Sequence, residues 1–196
     1  MSRVVFVARH GETDWNAAHR WQGHTDVPLN DTGRAQARAL AGRLQGEALA
    51  GAVASDLSRA SETARIVAEN VGVALVYVDA GLRERAYGVF EGLDRRACET
   101  QQPEAWAAWL ATRQPPPGAE SDESLRARVV AAMERVALEV AREDAAALVV
   151  THGGALRALV AAVTGTMPPL VRNGAVWRVT WAGRLVGALE IYSAST

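Results

Sequence analysis

Two apolar, β-branched runs in this chain each end in a His-Gly pair, and that repetition restricts the fold more than any other feature. Val4-Val5-Phe6-Val7-Ala8 leads into Arg9-His10-Gly11, and Leu148-Val149-Val150 leads through Thr151 into His152-Gly153-Gly154. Short continuous apolar runs of this kind read as strands buried on both faces, as in parallel sheets. A polar, glycine-containing turn at the end of such a strand lies at the carboxyl edge of the sheet, where open α/β folds take their ligands. With both strands central and parallel, His10 and His152 meet at one edge. The glycine after each lets the backbone approach a ligand closely. A helix following His152 aims free N–H groups and its positive dipole end at the same place.

The rest of the chain supplies the layers. Strands read at 3–8, 51–54, 74–78 and 146–151 alternate with helices at 32–46, 58–71, 103–112, 122–142 and 155–164, and two last strands are expected at 175–181 and 185–192. This order predicts an α/β fold: a three-layer α/β/α sandwich with a mostly parallel central sheet, in a single domain over 1–196. In the long helix, Leu125, Val129, Met133, Val136 and Val140 share one face. Asp31 or Thr32 is the expected cap of the helix at 32–46. Residues 9–31 read as a long loop, of a length that is usually functional, and 80–95 as irregular.

Charge and composition exclude several classes. A net charge of −1 argues against nucleic-acid or membrane-surface partners, which want a basic patch. All 21 basic residues are Arg, which excludes Schiff-base chemistry and a lysine-based phosphate loop. A single cysteine, Cys98, allows no internal disulfide and suits a reducing compartment. The first apolar run is too short for a signal peptide, and no stretch approaches the roughly 18 residues of a membrane span. The expectation is a soluble, cytoplasmic monomer or homodimer. No His, Cys, Asp or Glu cluster has metal-ligand spacing, so neither a metal nor a cofactor is expected.

An Arg directly before a His suits chemistry on phosphate, because a guanidinium grips two oxygens in a planar fork and a neutral imidazole can attack phosphorus. Arg59 falls in the first turn of the helix at 58–71, against the dipole's preference for acids, so either a salt bridge or an oxyanion ligand is implied. Glu84 sits in a Gly-rich loop where an ordinary solvated residue is also expected.

Five blocks in order are more specific: Arg9-His10-Gly11-Glu12-Thr13 with Trp15-Asn16; Ser55 to Ala64; Leu82-Arg83-Glu84 with Gly88 and Glu91-Gly92; Glu120-Ser121; and Thr151-His152-Gly153. Together they resemble the histidine phosphatase superfamily in its phosphoglycerate mutase-like branch, over about residues 3 to 180. The resemblance implies a phosphoglycerate mutase-like fold with a small helical cap at about 85–121. It implies that His10 is the nucleophile that becomes phosphohistidine. Arg9, Arg59 and His152 would hold the phosphoryl oxygens, with Asn16 and the Gly153 backbone assisting. Glu84 would protonate the leaving oxygen and later deprotonate water. Gln22, Gly23, Tyr87 and Arg95 are the further substrate-binding positions that it implies.

The branch holds both phosphatases and mutases. The short segment between Glu84 and His152, Gly154 where mutases usually show Asn, and a lone Arg113 before Pro115-Pro116-Pro117 favour a metal-independent phosphomonoester hydrolase for a small phosphorylated metabolite. Tyr87, three residues after Glu84, and Arg95, where mutases tend to have a Lys for the substrate carboxylate, favour a cofactor-dependent phosphoglycerate mutase. A binding module without turnover is the third reading. Trp21, Trp106 and Trp109 are candidates either to line an apolar pocket or to pack the cap. Asn173 resembles a family turn near the site, and His24 is a candidate substrate contact.

Overall fold

A computed structural model of the chain describes residues 1–192. In chain order its elements are β1 (Arg3–Arg9), α1 (Asp14–Ala17), α2 (Asp31–Leu44), β2 (Leu49–Ala54), α3 (Ser58–Val71), β3 (Leu75–Val78), α4 (Arg95–Gln101), α5 (Pro103–Thr112), α6 (Asp122–Glu139), β4 (Ala146–Thr151), α7 (Gly153–Thr164), β5 (Val176–Trp181) and β6 (Leu185–Tyr192). The six strands form one sheet in the order β3-β2-β4-β1-β5-β6. The β3–β2, β2–β4 and β4–β1 pairings are parallel, and the terminal β5–β6 hairpin adds to β1 in antiparallel fashion.

Alternation along the buried strands builds the three layers. Val5, Val7, Val53 and Val149 face α6 and α7. Phe6, Ala8, Ala52, Ala54, Leu148 and Val150 face α2 and α3. β1 and β4 are central neighbours with Arg9 opposite Thr151, so the residues that follow them, His10 and His152, leave the sheet side by side. Parallel register is what turns two separate sequence motifs into one site.

Several boundaries differ from the sequence reading. The long loop after β1 contains α1, whose N-cap Thr13 and Asn16 form a reciprocal capping box. The cap of α2 is Asn30, whose side chain accepts from the Gly33 amide at 2.8 Å. The segment read as irregular ends in α4, capped by Asp94 on the Ala97 amide at 2.8 Å. Helix α6 stops at Glu139 and α7 starts at Gly153, so His152 is itself the N-cap residue of α7. Within segment 85–121, Phe90, Cys98 and Trp106 form a small buried cluster of their own.

Candidate active site

His10 is buried, and its Nδ1 lies 2.6 Å from the Gly11 carbonyl oxygen. A carbonyl only accepts, so in the neutral ring Nδ1 carries the proton and Nε2 carries the lone pair. The His152 ring stands edge-on at a centroid distance of 5.0 Å. Burial, followed by the charges of Arg59 and Arg9, holds the His10 imidazole well below its usual range. Burial, followed by Arg59, His10 and Arg9, does the same to His152. Both rings are therefore neutral near pH 7.

The cations are set by the backbone around them. The Arg59 guanidinium donates to Thr25 O and Gly23 O, each at 2.9 Å. Arg9 Nη1 donates to Val171 O at 2.6 Å. Burial lowers Arg59 to about 10 and also lowers Arg9, and both stay cationic at neutral pH. Arg9 Nε, Arg59 Nε and both ring nitrogens of His152 are buried without a partner. The two guanidinium Nε–H groups and the single N–H of the neutral His152 ring are three unpaired donors, costly to leave so, and they fit the oxygens of a phosphoryl group. Fixed positive charge with no reorganisation is what the transferring group requires.

Glu84 closes the opposite side. Its carboxylate accepts from the amides of Arg85 at 2.8 Å, Gly154 at 2.9 Å and Ala155 at 3.1 Å, and so rests on the N-terminus of α7. Its own carbonyl accepts from His24 Nε2–H at 2.8 Å and from Arg128 Nη2 at 2.8 Å. A side chain at Gly154 would put Cβ 2.3 Å from Glu84 Oε1 and 3.3 Å from the Tyr87 hydroxyl, so glycine is what lets the carboxylate sit there. Burial, then Glu84, pushes the Tyr87 phenol up, and it stays protonated.

Of the residues singled out from sequence, Arg9, His10, Arg59, Glu84, Tyr87, His152 and Gly153 gather here. Gly153 packs against the Arg9 guanidinium. Asn16 caps α1 and meets Asn173 at 3.4 Å, and Asn173 donates to His10 O at 2.9 Å. Gly23 contributes its carbonyl to Arg59, and the neighbouring Gln22 leaves its buried Oε1 unpaired. Arg95 is the exception. Because α4 begins at that residue, its Nε turns along the exposed helix face to Glu99 at 3.0 Å, instead of into the pocket. His24 holds the Glu84 backbone, and Trp106 packs on Phe90 with centroids 5.7 Å apart. Trp21 meets Tyr87 at a tilt of 59°, with ring centroids 4.6 Å apart.

Three supports were missed from sequence. Arg128 on α6 donates to Gly81 O, Arg83 O and Glu84 O and forms a two-point pair with Glu120 at 2.7 Å. Glu91 takes the amides of His24, Thr25 and Tyr87 and the Thr25 hydroxyl, tying the cap to the 23–25 loop. Asp26 accepts from the Ser58 amide at 2.7 Å and so caps α3 across 32 residues. The only signal for Arg128 was its place one helix turn after Ser124 in the segment that begins with Glu120-Ser121.

The family model described as "Histidine phosphatase superfamily (branch 1)" matches residues 5–184. The chain belongs to the histidine phosphatase superfamily. It is 42% identical over 159 residues to "Phosphoglycerate mutase-like protein 4" of Arabidopsis thaliana, covering 79% of this chain and 68% of that one. It is 38% identical to a "Metal-independent phosphoserine phosphatase" of the same plant, with 82% and 68% covered. Among solved structures, Bacillus stearothermophilus YhfR superposes with a TM-score of 0.86 at 30% identity, over 98% of both chains. A mycobacterial glucosyl-3-phosphoglycerate phosphatase complexed with VO3 superposes at 0.83 and 31% identity, over 98% of this chain and all of that one. The six-stranded sheet and its flanking helices are the phosphoglycerate mutase-like fold.

Proposed function

We propose that this histidine phosphatase hydrolyses the phosphomonoester of a small metabolite through a phosphohistidine at His10. The observation that carries this reading is the His10 ring itself. It is neutral, it has its proton pinned on Nδ1, and Nε2 is left as a nucleophile among two guanidinium groups and His152. In the first step Nε2 bonds to phosphorus while the bond from phosphorus to the ester oxygen breaks. The Glu84 carboxyl gives its proton to the departing oxygen. In the second step water attacks phosphorus, Glu84 takes its proton, and the N–P bond breaks to release phosphate. Arg9, Arg59 and His152 hold the equatorial oxygens throughout.

Hydrolysis is favoured over transfer by Arg95, which is paired with Glu99 along the exposed face of α4 and so does not offer its charge to a substrate carboxylate. A mutase reading keeps support from relatives named "Probable phosphoglycerate mutase GpmB", 38% identical in Photorhabdus laumondii. Turnover of p-nitrophenyl phosphate in EDTA, lost in His10→Ala, together with an acid-labile, base-stable phosphoenzyme trapped by rapid quench, is the expected result. No turnover across a phosphomonoester panel refutes the reading. Conversion of 3-phosphoglycerate to its isomer in the presence of 2,3-bisphosphoglycerate, faster than phosphate release, replaces it with the mutase.

A further inference from the structure

Arg59 is a buried cation with no carboxylate of its own: none of the ion pairs among the described residues includes it. Taking a cation out of water is costly unless hydrogen bonds and an opposite charge compensate it. The hydrogen bonds come from the backbone of one short stretch. Nη1 donates to Thr25 O and Nη2 to Gly23 O, each at 2.9 Å. The opposite charge lies on the other side of that same stretch. Glu91 accepts the His24 amide on Oε1 at 3.1 Å, and the Thr25 amide and hydroxyl on Oε2 at 3.1 and 2.8 Å.

A single peptide unit joins the two charges. Its carbonyl, on Gly23, takes the Arg59 guanidinium, and its N–H, on His24, gives to the Glu91 carboxylate. Hydrogen bonds in such a series polarise one another, so the carboxylate makes the carbonyl a better acceptor and fixes the plane of the peptide. Glycine is needed there twice over: φ is +54°, and a Cβ would run into the Glu91 carboxylate. Glu84 and Asp26 also favour the Arg59 cation, and Arg9 opposes it. The Glu84 carboxylate is taken up by amides of α7, however, and that of Asp26 by Ser58, so neither holds the carbonyls that aim the guanidinium. Glu91 Oε1 also takes the Tyr87 amide at 3.0 Å, which ties the same carboxylate to the cap.

We propose that Glu91 is the positioning residue for Arg59: through the Gly23–His24 peptide and Thr25 it holds the guanidinium aimed at the phosphoryl oxygens. The inference rests on the phosphohistidine reading of the site and adds to it a carboxylate that acts only through the backbone. Glu91→Gln keeps the shape, removes the charge and turns an amide NH2 toward backbone N–H groups that need an acceptor. The phosphoryl group is then held about tenfold less tightly, the lower end of what a charge-assisted hydrogen bond contributes. Glu84 keeps its amide donors and Arg128, so the loss falls on KM and leaves kcat nearly unchanged.

Orthovanadate, an oxyanion that occupies phosphoryl sites, is the probe, and its dissociation constant is measured by calorimetry in two double-mutant cycles. Glu91→Gln should weaken vanadate about tenfold in the parent chain and again in Arg9→Gln, because Arg9 is held by Val171 O and not by the 23–25 stretch. In Arg59→Met the same change should alter affinity by less than about twofold. Glu91→Asp, which keeps the charge, should bind vanadate more tightly than Glu91→Gln. Should Glu91→Gln not fold, Thr25→Val, which removes only the hydroxyl on Oε2, carries the same comparison with an effect of about threefold. Equal losses in Arg59→Met and Arg9→Gln overturn the assignment, as does a loss that vanishes in both, which is a general loosening of the site. Tighter binding by Glu91→Gln than by Glu91→Asp overturns it as well. Failure of the parent chain to bind vanadate or turn over any phosphomonoester overturns the phosphohistidine reading instead. The role of Glu91 is then decided by urea midpoints: Glu91→Gln and Arg59→Met together should destabilise by less than the sum of the two, and additive effects refute it.

Discussion

Replacing Arg128 with Met removes the clamp that fixes the Glu84 loop while keeping most of the side chain's volume. Arg128 is mostly buried (side chain 21% exposed) and Glu120 more so (12%). Taking away one partner of such a pair leaves an uncompensated charge, at about 3–5 kcal/mol for a fully buried pair; the partial exposure here brings the expectation to about 3 kcal/mol. For a chain of this length that is a fall in Tm of roughly 6–12 °C. The pH dependence identifies the cause. Burial is the largest single influence and pushes the Glu120 carboxyl up, but the hydrogen bonds and charge of Arg128, with Ser124 and His24, together outweigh it and the net shift is downward. In the parent chain the pair's stabilisation is present above the unfolded carboxyl value and is lost as pH falls through the lower folded value. In Arg128→Met burial, the largest influence, is opposed only by the Ser124 hydroxyl and His24, so the Glu120 charge is penalised at neutral pH and relieved by protonation in acid. The difference in urea stability between parent and variant should therefore shrink by about 1–2 kcal/mol between pH 7.5 and pH 4.5. Glu120→Gln/Arg128→Met should recover part of the loss at neutral pH. Glu84 keeps its His24 contact and its three amide donors, so kcat should fall about tenfold with KM nearly unchanged, less than the full value of proton transfer. A destabilisation independent of pH, or an unchanged kcat in the folded variant, refutes this account of Arg128.

Gly154→Ala places a methyl 2.3 Å from Glu84 Oε1 and should lower kcat at least tenfold while leaving the circular dichroism spectrum intact; full activity would show that Glu84 does not need its seat on α7. His10 and His152 are buried neutral, so their contribution to stability is present above the unfolded value near 6.5 and drains away as pH falls toward their lower folded values. His152→Gln should flatten the stability slope between pH 6.5 and 5 by about 1 kcal/mol per pH unit, read from urea midpoints, and equal slopes would contradict neutral burial. Glu91→Ala strips partners from the His24, Thr25 and Tyr87 amides and should cost about 1–3 kcal/mol and raise KM, with faster proteolysis of the cap as the companion readout.

Local patterns were enough for the sheet and the catalytic centre. Apolar runs and helical periodicity are short-range properties, and they predict nearly every strand and helix to within a few residues. The turns after β1 and β4 carry His10 and His152 because the proposed nucleophile and its neighbour sit where buried strands must end. The elements that escaped are those whose cause lies far away in the chain. Asp26 caps α3, Glu91 ties the cap to the 23–25 loop, and Arg128 holds the Glu84 backbone from another helix. Arg95 could be matched to a motif position, but the start of α4 decides that it faces solvent and Glu99. The sequence by itself determined the fold class, since hydrophobic periodicity and strand-end turns are written locally, and its family resemblance named the proposed reacting groups. Only the tertiary structure decided the parallel register that pairs the two histidines, the burial that keeps them neutral, and the seat of Glu84 on α7, because each depends on contacts between residues tens of positions apart.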